Sequence, residues 1–146
     1  MTGKVIAINI SEKKGVPKRT IEEGVFEVDH GLVGDAHAGN WHRQVSLLGN
    51  ESIEKMKAIG IEGLCTGKFA ENLTTEGIEL WKLPVGTKLE IGETLQEVTQ
   101  IGKECHTKCA IFHQVGNCVM PTEGIFTKVL KPGKIKKNDL IKVIEE

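Results

Sequence analysis

The sequence lacks tyrosine entirely, has only two tryptophans and carries almost no net charge. Aromatic side chains make up 4% of its 146 residues, too few for a large stacking surface that would bind single-stranded nucleic acid. The 19 basic and 20 acidic residues nearly cancel, so no strong electrostatic field attracts nucleic acid or an anionic membrane. These absences argue against nucleic acid as a partner.

Long hydrophobic runs are also missing, and none approaches the roughly 20 residues that a membrane-spanning helix needs. The start, Met1 to Lys4, lacks the charged and then apolar pattern of a signal peptide. We therefore expect no membrane contact and a cytoplasmic location. In a reducing cytosol the four cysteines favour metal binding, redox chemistry or sulfur handling over disulfide bonds. With no linker or low-complexity segment, one domain over residues 1–146 is expected.

The hydrophobic pattern predicts a mainly β fold, because 17 glycines separate short apolar runs. Strands are predicted at Lys4–Ile10, Ile21–Val28, Arg43–Leu48, Phe69–Thr75, Thr87–Thr99 with a turn at Gly92-Glu93, and Asp139–Ile144. A helix is predicted over Glu51–Ile59, with Asn50 as N-cap and Gly60 as terminator. Leu32 to Trp41 is predicted to be an exposed loop, Gly124 to Leu130 fits a strand or a helix, and Pro132-Gly133 is predicted to be a turn. The pattern indicates a β-barrel or β-sandwich with one or two short helices.

Cysteine and histidine are concentrated between Cys105 and Cys118, where they fill five of 14 positions. The five are Cys105, His106, Cys109, His113 and Cys118. Lys103 and His106 place donors and positive charge around Cys105, which favours its thiolate form. Cys109 and Cys118 are equally well explained as small buried hydrophobic residues.

A zinc site is an alternative explanation of the same cluster. Three cysteines with His106 or His113 would supply four suitable ligands. The spacing C-x3-C-x8-C lacks the paired C-x2-C knuckles of common structural zinc sites, so a Cys/His metal-binding module remains the alternative and not the first choice.

A second group of polar residues lies upstream of the cysteines. Asp35 and His37 are two positions apart in a glycine-flanked segment, where a carboxylate can orient an imidazole or accept a hydrogen bond from a ligand. Arg43 is either a surface charge or a clamp for an anion. Glu71 and Asn72 form a polar pair at the start of a predicted strand, where the asparagine could also cap a turn.

Taken in order, these segments resemble MOSC domains, the C-terminal domains of molybdenum-cofactor sulfurases that also occur as stand-alone prokaryotic proteins. The segments that carry the resemblance are Gly34-Asp35-x-His37-x-Gly39, Arg43-Gln44-Val45-Ser46-Leu47, Phe69-x-Glu71-Asn72-Leu73-Thr74, Val85-Gly86-x-x-Leu89-x-Ile91-Gly92 and the Cys105 segment. The resemblance runs from about Val5 to Val143 and implies a MOSC-like β-barrel.

The resemblance also implies roles for individual residues. Cys105 would carry sulfane sulfur or contact the molybdenum of a pterin cofactor, and Cys109 would resolve or relay a persulfide. The residues expected around the cofactor are Asp35, His37, Arg43, Glu71, Asn72, Lys103 and His106. Pyridoxal phosphate is not expected, because the desulfurase domain of the full-length sulfurases is absent from this sequence.

The leading hypothesis is a protein that holds molybdenum cofactor or persulfide sulfur on Cys105 and hands it to a partner. The expected partners are a sulfur donor protein and an enzyme of molybdenum-cofactor biosynthesis or an acceptor enzyme. One alternative is a molybdenum-dependent reductase of N-hydroxylated compounds, and the other is the metal-binding module. The sequence leaves open whether the protein is an enzyme, either a sulfur transferase or an oxidoreductase.

Overall fold

The structure is a computed structural model that describes residues 2–13, 18–58, 71–102 and 124–144. Its strands are β1 (Thr2–Ile10), β2 (Arg19–Ile21), β3 (Glu23–Glu27), β4 (Gly31–Leu32), β5 (Val45–Gly49), β6 (Leu73–Glu76), β7 (Lys88–Ile91), β8 (Thr94–Ile101), β9 (Ile125–Lys131), β10 (Gly133–Lys136) and β11 (Leu140–Ile144). One α-helix, α1 (Asn50–Ala58), and a 3₁₀ helix (Leu80–Lys82) accompany them in the described ranges. The predicted mainly β fold with one or two short helices is confirmed.

Seven of these strands close into a barrel in the order β1-β11-β7-β8-β9-β5-β6, with β6 pairing back to β1. Closure comes from the antiparallel pairing of β1 with β11, in which Thr2 lies opposite Lys142. The neighbours β5 and β6 run parallel, with Leu47 opposite Leu73. The predicted β-barrel is therefore confirmed.

The predicted strand Ile21–Val28 is wrong as a single element, because it is divided at Glu22. The first part, β2, pairs with β1, whereas β3 pairs with β10 in a separate sheet of order β10-β3-β4. The predicted turn at Pro132-Gly133 is also only half right, since β10 begins at Gly133. A Cβ atom on Gly133 would lie 2.7 Å from the Cβ of Glu93. Glycine therefore lets the two chain segments approach more closely than any residue with a side chain would.

Gly124–Leu130, which fitted a strand or a helix, lies almost entirely in strand β9, paired with both β5 and β8. Successive side chains of a strand point to opposite faces of the sheet, and along β8 the buried face is formed by Thr94, Gln96 and Val98. The core that fills the barrel is aliphatic, with Val5, Ile8, Val45, Leu47, Leu73, Leu89, Ile91, Val98, Ile125 and Ile141 among its members.

Helix α1 begins at Asn50, the predicted N-cap, and lies against β5 and β6. Its Ile53 is fully buried, and the Glu51 carboxylate accepts a hydrogen bond of 2.8 Å from the backbone N–H of Gly77. The predicted end at Gly60 lies outside the described residues. No helix in the described ranges is long and apolar enough to cross a membrane.

Candidate functional site

Asp35 is buried at the centre of a polar cluster, in a loop that had been predicted to be exposed. Its Oδ1 accepts a hydrogen bond of 3.0 Å from the backbone N–H of Ser11 and one of 2.6 Å from Lys18 Nζ. Both side chains of the ion pair are withdrawn from solvent, with 1% of Lys18 and 0% of Asp35 exposed. The sequence analysis missed Lys18, which lies in a polar stretch beside β2 and belongs to no recognisable pattern.

The ionisation of Asp35 reflects this setting. Burial by itself would raise the pKa of the carboxyl, because it penalises the charged form. Hydrogen bonds from Lys18, the Ser11 amide and the Asn72 side chain, together with the Lys18 charge, outweigh burial and lower the pKa. Asp35 is therefore held as a carboxylate.

His37 lies beside this ion pair, but its ring does not bind the carboxylate. Its Nδ1 is 3.9 Å from Asp35 Oδ2 and 3.3 Å from Lys18 Nζ. The backbone N–H of His37 donates to Asp35 Oδ2 at 3.3 Å, and its carbonyl accepts a bond of 3.1 Å from Trp41 Nε1. Asp35 thus holds the backbone at His37, while Lys18 contacts the imidazole.

Asn72 joins the second polar segment to the barrel. Its Oδ1 accepts hydrogen bonds from the backbone N–H of Ser46 at 3.0 Å and from Ser46 Oγ at 3.1 Å. Its Nδ2 donates to the carbonyl of Asn9 at 3.3 Å. β6 begins at Leu73, so the predicted strand Phe69–Thr75 is wrong at Glu71 and Asn72, which precede β6, and its first two residues lie outside the described residues.

Glu71 is fully buried next to Asn72. Its Oε2 accepts a hydrogen bond of 2.8 Å from Thr74 Oγ1, and its carbonyl accepts one of 3.2 Å from Asn9 Nδ2. Asn9 Nδ2 also donates to Thr74 Oγ1 at 3.0 Å. Asp35, Glu71 and Asn72 therefore belong to one buried region, and their role as cofactor contacts stays a prediction.

Arg43 lies in a different group, together with Gln100 of β8 and Phe126 of β9. Its Nε donates to Gln100 Oε1 at 3.0 Å, and its guanidinium carbon lies 5.3 Å from the ring centre of Phe126. His42 Nε2 is 3.0 Å from the same Gln100 oxygen. The partly exposed guanidinium is thus fixed in position by an amide on one edge and an aromatic ring on one face.

Gln100 also connects this group to the base of the cysteine segment. Its Nε2 donates to the carbonyl of Gly102 at 2.9 Å, and the Gly102 N–H donates to the carbonyl of Gly124 at 2.6 Å. Gly102 and Gly124, the described residues on either side of residues 103–123, therefore lie hydrogen-bonded to each other beside Gln100.

The cysteine segment itself lies outside the described residues. The predictions that fall there concern Lys103, Cys105, His106, Cys109, His113 and Cys118, and they stay predictions. Within the described ranges, no three Cys, His, Asp or Glu side chains are grouped so that they could hold a metal ion.

Comparisons with known proteins agree with this architecture. The structure resembles YuaD from Bacillus subtilis, with a TM-score of 0.81 and 18% identity over 98% of this chain and 96% of that one. It also resembles YiiM from Geobacillus stearothermophilus, with a TM-score of 0.74 and 18% identity over 98% of this chain and 75% of that one. For YiiM from Escherichia coli the TM-score is 0.70, with 18% identity over 98% and 70% of the two chains.

At these identities the likeness establishes a shared fold. No curated protein matches the sequence. The family model described as the MOSC domain matches residues 34–142, a range that begins next to Asp35 and ends within β11. The chain therefore belongs to the MOSC domain family.

Proposed function

We propose that the protein holds a sulfur-bearing cargo on Cys105, either molybdenum cofactor or a persulfide, and passes it to a partner protein. Membership of the MOSC family supports this proposal. The observation that carries it is the Gln100 side chain, which binds Arg43 through Oε1 and Gly102 through Nε2. An oriented guanidinium therefore lies at the base of the segment that contains Cys105.

Arg43 has the properties of an anion-binding group. Its Nε is occupied by Gln100, but among the described residues its two terminal amino groups have no hydrogen-bond acceptor. A guanidinium held by its Nε edge and stacked on Phe126 presents those two amino groups as a fork. Such a fork binds the oxygens of a phosphate or carboxylate in a bidentate manner.

The donor set fits the anionic end of molybdenum cofactor, which carries a phosphate. Arg43 would bind that phosphate, assisted by Lys103, whereas Lys18 is already neutralised by Asp35. His37 lies beside the Lys18–Asp35 ion pair, and its side chain is partly exposed, 37% accessible. When bound, the cofactor would supply a soft metal centre for which a cysteine thiolate is a suitable ligand.

For the sulfur version, Cys105 supplies the chemistry. Its thiolate attacks the outer sulfur of a donor persulfide, the sulfur–sulfur bond of the donor breaks, and the donor leaves as a thiolate. Cys105 then carries the persulfide, and positive charge from Lys103 and His106 favours its anionic form. Cys109, four positions away, would accept or release the sulfur in a second exchange.

The buried residues would act by holding the frame of the site. Asp35 fixes the loop that carries His37, and Asn72 fixes the start of β6 against Ser46. We assign them a positioning role and leave contact with the cargo to Arg43, His37 and Cys105.

Native mass spectrometry of anaerobically purified protein tests the proposal. The protein is exposed either to a cysteine desulfurase with cysteine or to molybdenum cofactor. A mass gain of one sulfur atom or one cofactor, lost in Cys105→Ala and kept in Cys65→Ala, is the expected result. Wild-type protein without any adduct would overturn the carrier function, and an adduct unaffected by Cys105→Ala would overturn the role of Cys105.

A second pair of variants separates the two cargoes. Arg43→Gln should weaken retention of the phosphate-bearing cofactor about tenfold or more while leaving sulfur loading unchanged, since sulfur transfer needs no phosphate clamp. Arg19→Gln removes an exposed arginine and serves as the matched control. Turnover of an N-hydroxylated compound by the cofactor-loaded protein would show that the protein is a reductase and overturn the carrier function.

A further inference from the structure

Gln100 binds two basic side chains through a single oxygen atom. Its Oε1 lies 3.0 Å from Arg43 Nε and 3.0 Å from His42 Nε2, and its Nε2 donates to the carbonyl of Gly102 at 2.9 Å. An arginine Nε can only donate a hydrogen bond and a carbonyl can only accept one. These two contacts therefore determine which end of the amide carries the oxygen, and they exclude the reversed orientation.

The orientation of the Gln100 amide in turn determines the tautomer of His42. An amide oxygen only accepts, so His42 Nε2 carries a proton and donates it, and Nδ1 of the neutral ring is unprotonated. Trp41 packs against the imidazole in a T-shaped arrangement, with 5.9 Å between the ring centres. Thr99 Oγ1 donates a hydrogen bond to the His42 carbonyl. An exposed histidine is thus held in one position and one tautomer.

The contact between Gln100 and Arg43 differs in charge from the ion pair between Lys18 and Asp35. Asp35 holds Lys18 at 2.6 Å and neutralises its charge. Gln100 also holds a cationic side chain, but an amide has no charge with which to neutralise it. Among the described residues Arg43 forms no ion pair. The guanidinium is therefore oriented and still carries its full positive charge.

We propose that Gln100 is a positioning residue that makes this group an anion site: its neutral oxygen orients Arg43 and leaves the positive charge for the ligand, with His42 as a second basic group beside it. A carboxylate at position 100 would hold the same two side chains but neutralise the guanidinium. The ligand class is a phosphate or phosphate monoester, two oxygens of which fit the Arg43 fork. The inference rests on the proposed function, because it concerns the same site, and it adds Gln100 and His42 to that site.

Nuclear magnetic resonance of ¹⁵N-labelled, cargo-free protein tests the geometry and the ligand together. Spectra are recorded at about pH 8, where a free imidazole is neutral, and inorganic phosphate is then added. His42→Gln and Arg43→Gln identify the signals of the two side chains. We expect His42 to carry its proton at Nε2, protected from exchange with water by Gln100, and the Arg43 Nε–H signal to shift as phosphate binds. A proton at Nδ1 of His42, or an Arg43 signal that millimolar phosphate does not move, would overturn the proposal.

Gln100→Glu separates orientation from charge, because a glutamate of the same length can accept from both donors. We expect this variant to keep the His42 Nε2–H and Arg43 Nε–H signals but to bind phosphate about tenfold more weakly or worse. Asn138→Asp makes the same amide-to-carboxylate change at an exposed position and should bind phosphate like wild type.

Two results for Gln100→Glu would overturn the role of Gln100. One is phosphate binding as tight as that of wild type. The other is loss of both side-chain signals together with phosphate binding, because lost orientation would then explain the effect without any role for charge. If the variant does not fold, the wild-type titration still decides whether the site binds an anion. Since the probe is phosphate and no cargo is present, failure of the carrier function would leave these results intact.

Discussion

Asp35 binds the side chain of Lys18 but only the backbone of His37: its Oδ1 lies 2.6 Å from the lysine nitrogen, while its Oδ2 lies 3.9 Å from the histidine Nδ1 and accepts the His37 N–H at 3.3 Å. The ion pair joins the glycine-flanked loop to the residue that precedes β2. Four predictions follow from this cluster and its surroundings.

Replacing only one partner of the buried Lys18–Asp35 ion pair should strongly destabilise the protein. Lys18→Met or Asp35→Asn leaves an uncompensated polar partner, and we expect each to lower the free energy of unfolding by about 3–5 kcal/mol. The double variant should be less destabilised than the sum of the two. Urea denaturation of all four proteins measures this coupling. Arg19→Gln, which breaks an exposed pair with Glu12, should cost about 1 kcal/mol or less. Equal costs for Lys18→Met and Arg19→Gln would contradict the prediction.

The lowered pKa of Asp35 makes its contribution to stability dependent on pH. Above the unfolded-state value of about 3.9 the carboxylate contributes fully. As the pH falls below that value the unfolded chain takes up the proton first, so stability is lost progressively until the folded-state pKa is passed. Unfolding free energies measured from about pH 5 to pH 2 should fall more steeply for wild type than for Asp35→Asn. A wild-type curve no steeper than that of Asp35→Asn would contradict the prediction.

Two neighbouring threonines on β6 should respond oppositely to the same substitution. Thr74 Oγ1 accepts from Asn9 and donates to Glu71, so Thr74→Val should cost about 1–3 kcal/mol. Thr75 Oγ1 is buried and has no hydrogen-bond partner in the described chain. Thr75→Val should therefore be neutral or stabilise by up to about 1 kcal/mol. Thermal and urea unfolding of the two variants provide the comparison, and equal losses would refute the assignment.

Gly31 combines a positive φ with a close approach to neighbouring backbone. At φ 107° an added Cβ would lie 2.5 Å from the carbonyl oxygen of Gln44, next to Arg43. Gly86 has a similar φ of 97° but nothing within 4 Å. Both alanine variants strain the backbone, and Gly31→Ala should be about 1–3 kcal/mol less stable than Gly86→Ala because of the added clash. Similar unfolding free energies would show that the Gln44 carbonyl moves aside at little cost.

The strands that could be predicted from the sequence are those that neighbouring residues alone make recognisable. Lys4–Ile10 and Asp139–Ile144 are short apolar runs and Thr87–Thr99 is divided by a glycine turn at Gly92, and the structure places strands at all three. The division of Ile21–Val28 was not predictable in this way, because it depends on partners elsewhere in the chain: β2 pairs with β1, whereas β3 pairs with β10 and β4. Which strands pair is determined by tertiary contacts between distant parts of the chain, and these contacts override local propensity.

The same limit applies to the site. The Asp35-x-His37 spacing was visible because both residues lie in one short segment. The cation that takes the carboxylate lies 17 positions upstream, and the amide that orients Arg43 lies 57 positions downstream. Such contacts arise only when the barrel brings separate strands together, and no local pattern in the sequence encodes them.

The closure of the barrel by β1 and β11 constrains how the protein is made. Thr2 pairs with Lys142, so strands from opposite ends of the sequence must meet before the ring is complete. During synthesis the edges of β1 and β6 can pair early, but the opposite edge of β1 has to wait until Leu140–Ile144 has left the ribosome. Contacts of such high sequence separation form slowly. β2 can cover Ile8–Ile10 on that edge early, but until β11 pairs, the Thr2–Lys4 part of β1 is an open edge that can pair with another nascent chain, so aggregation competes with folding in this interval.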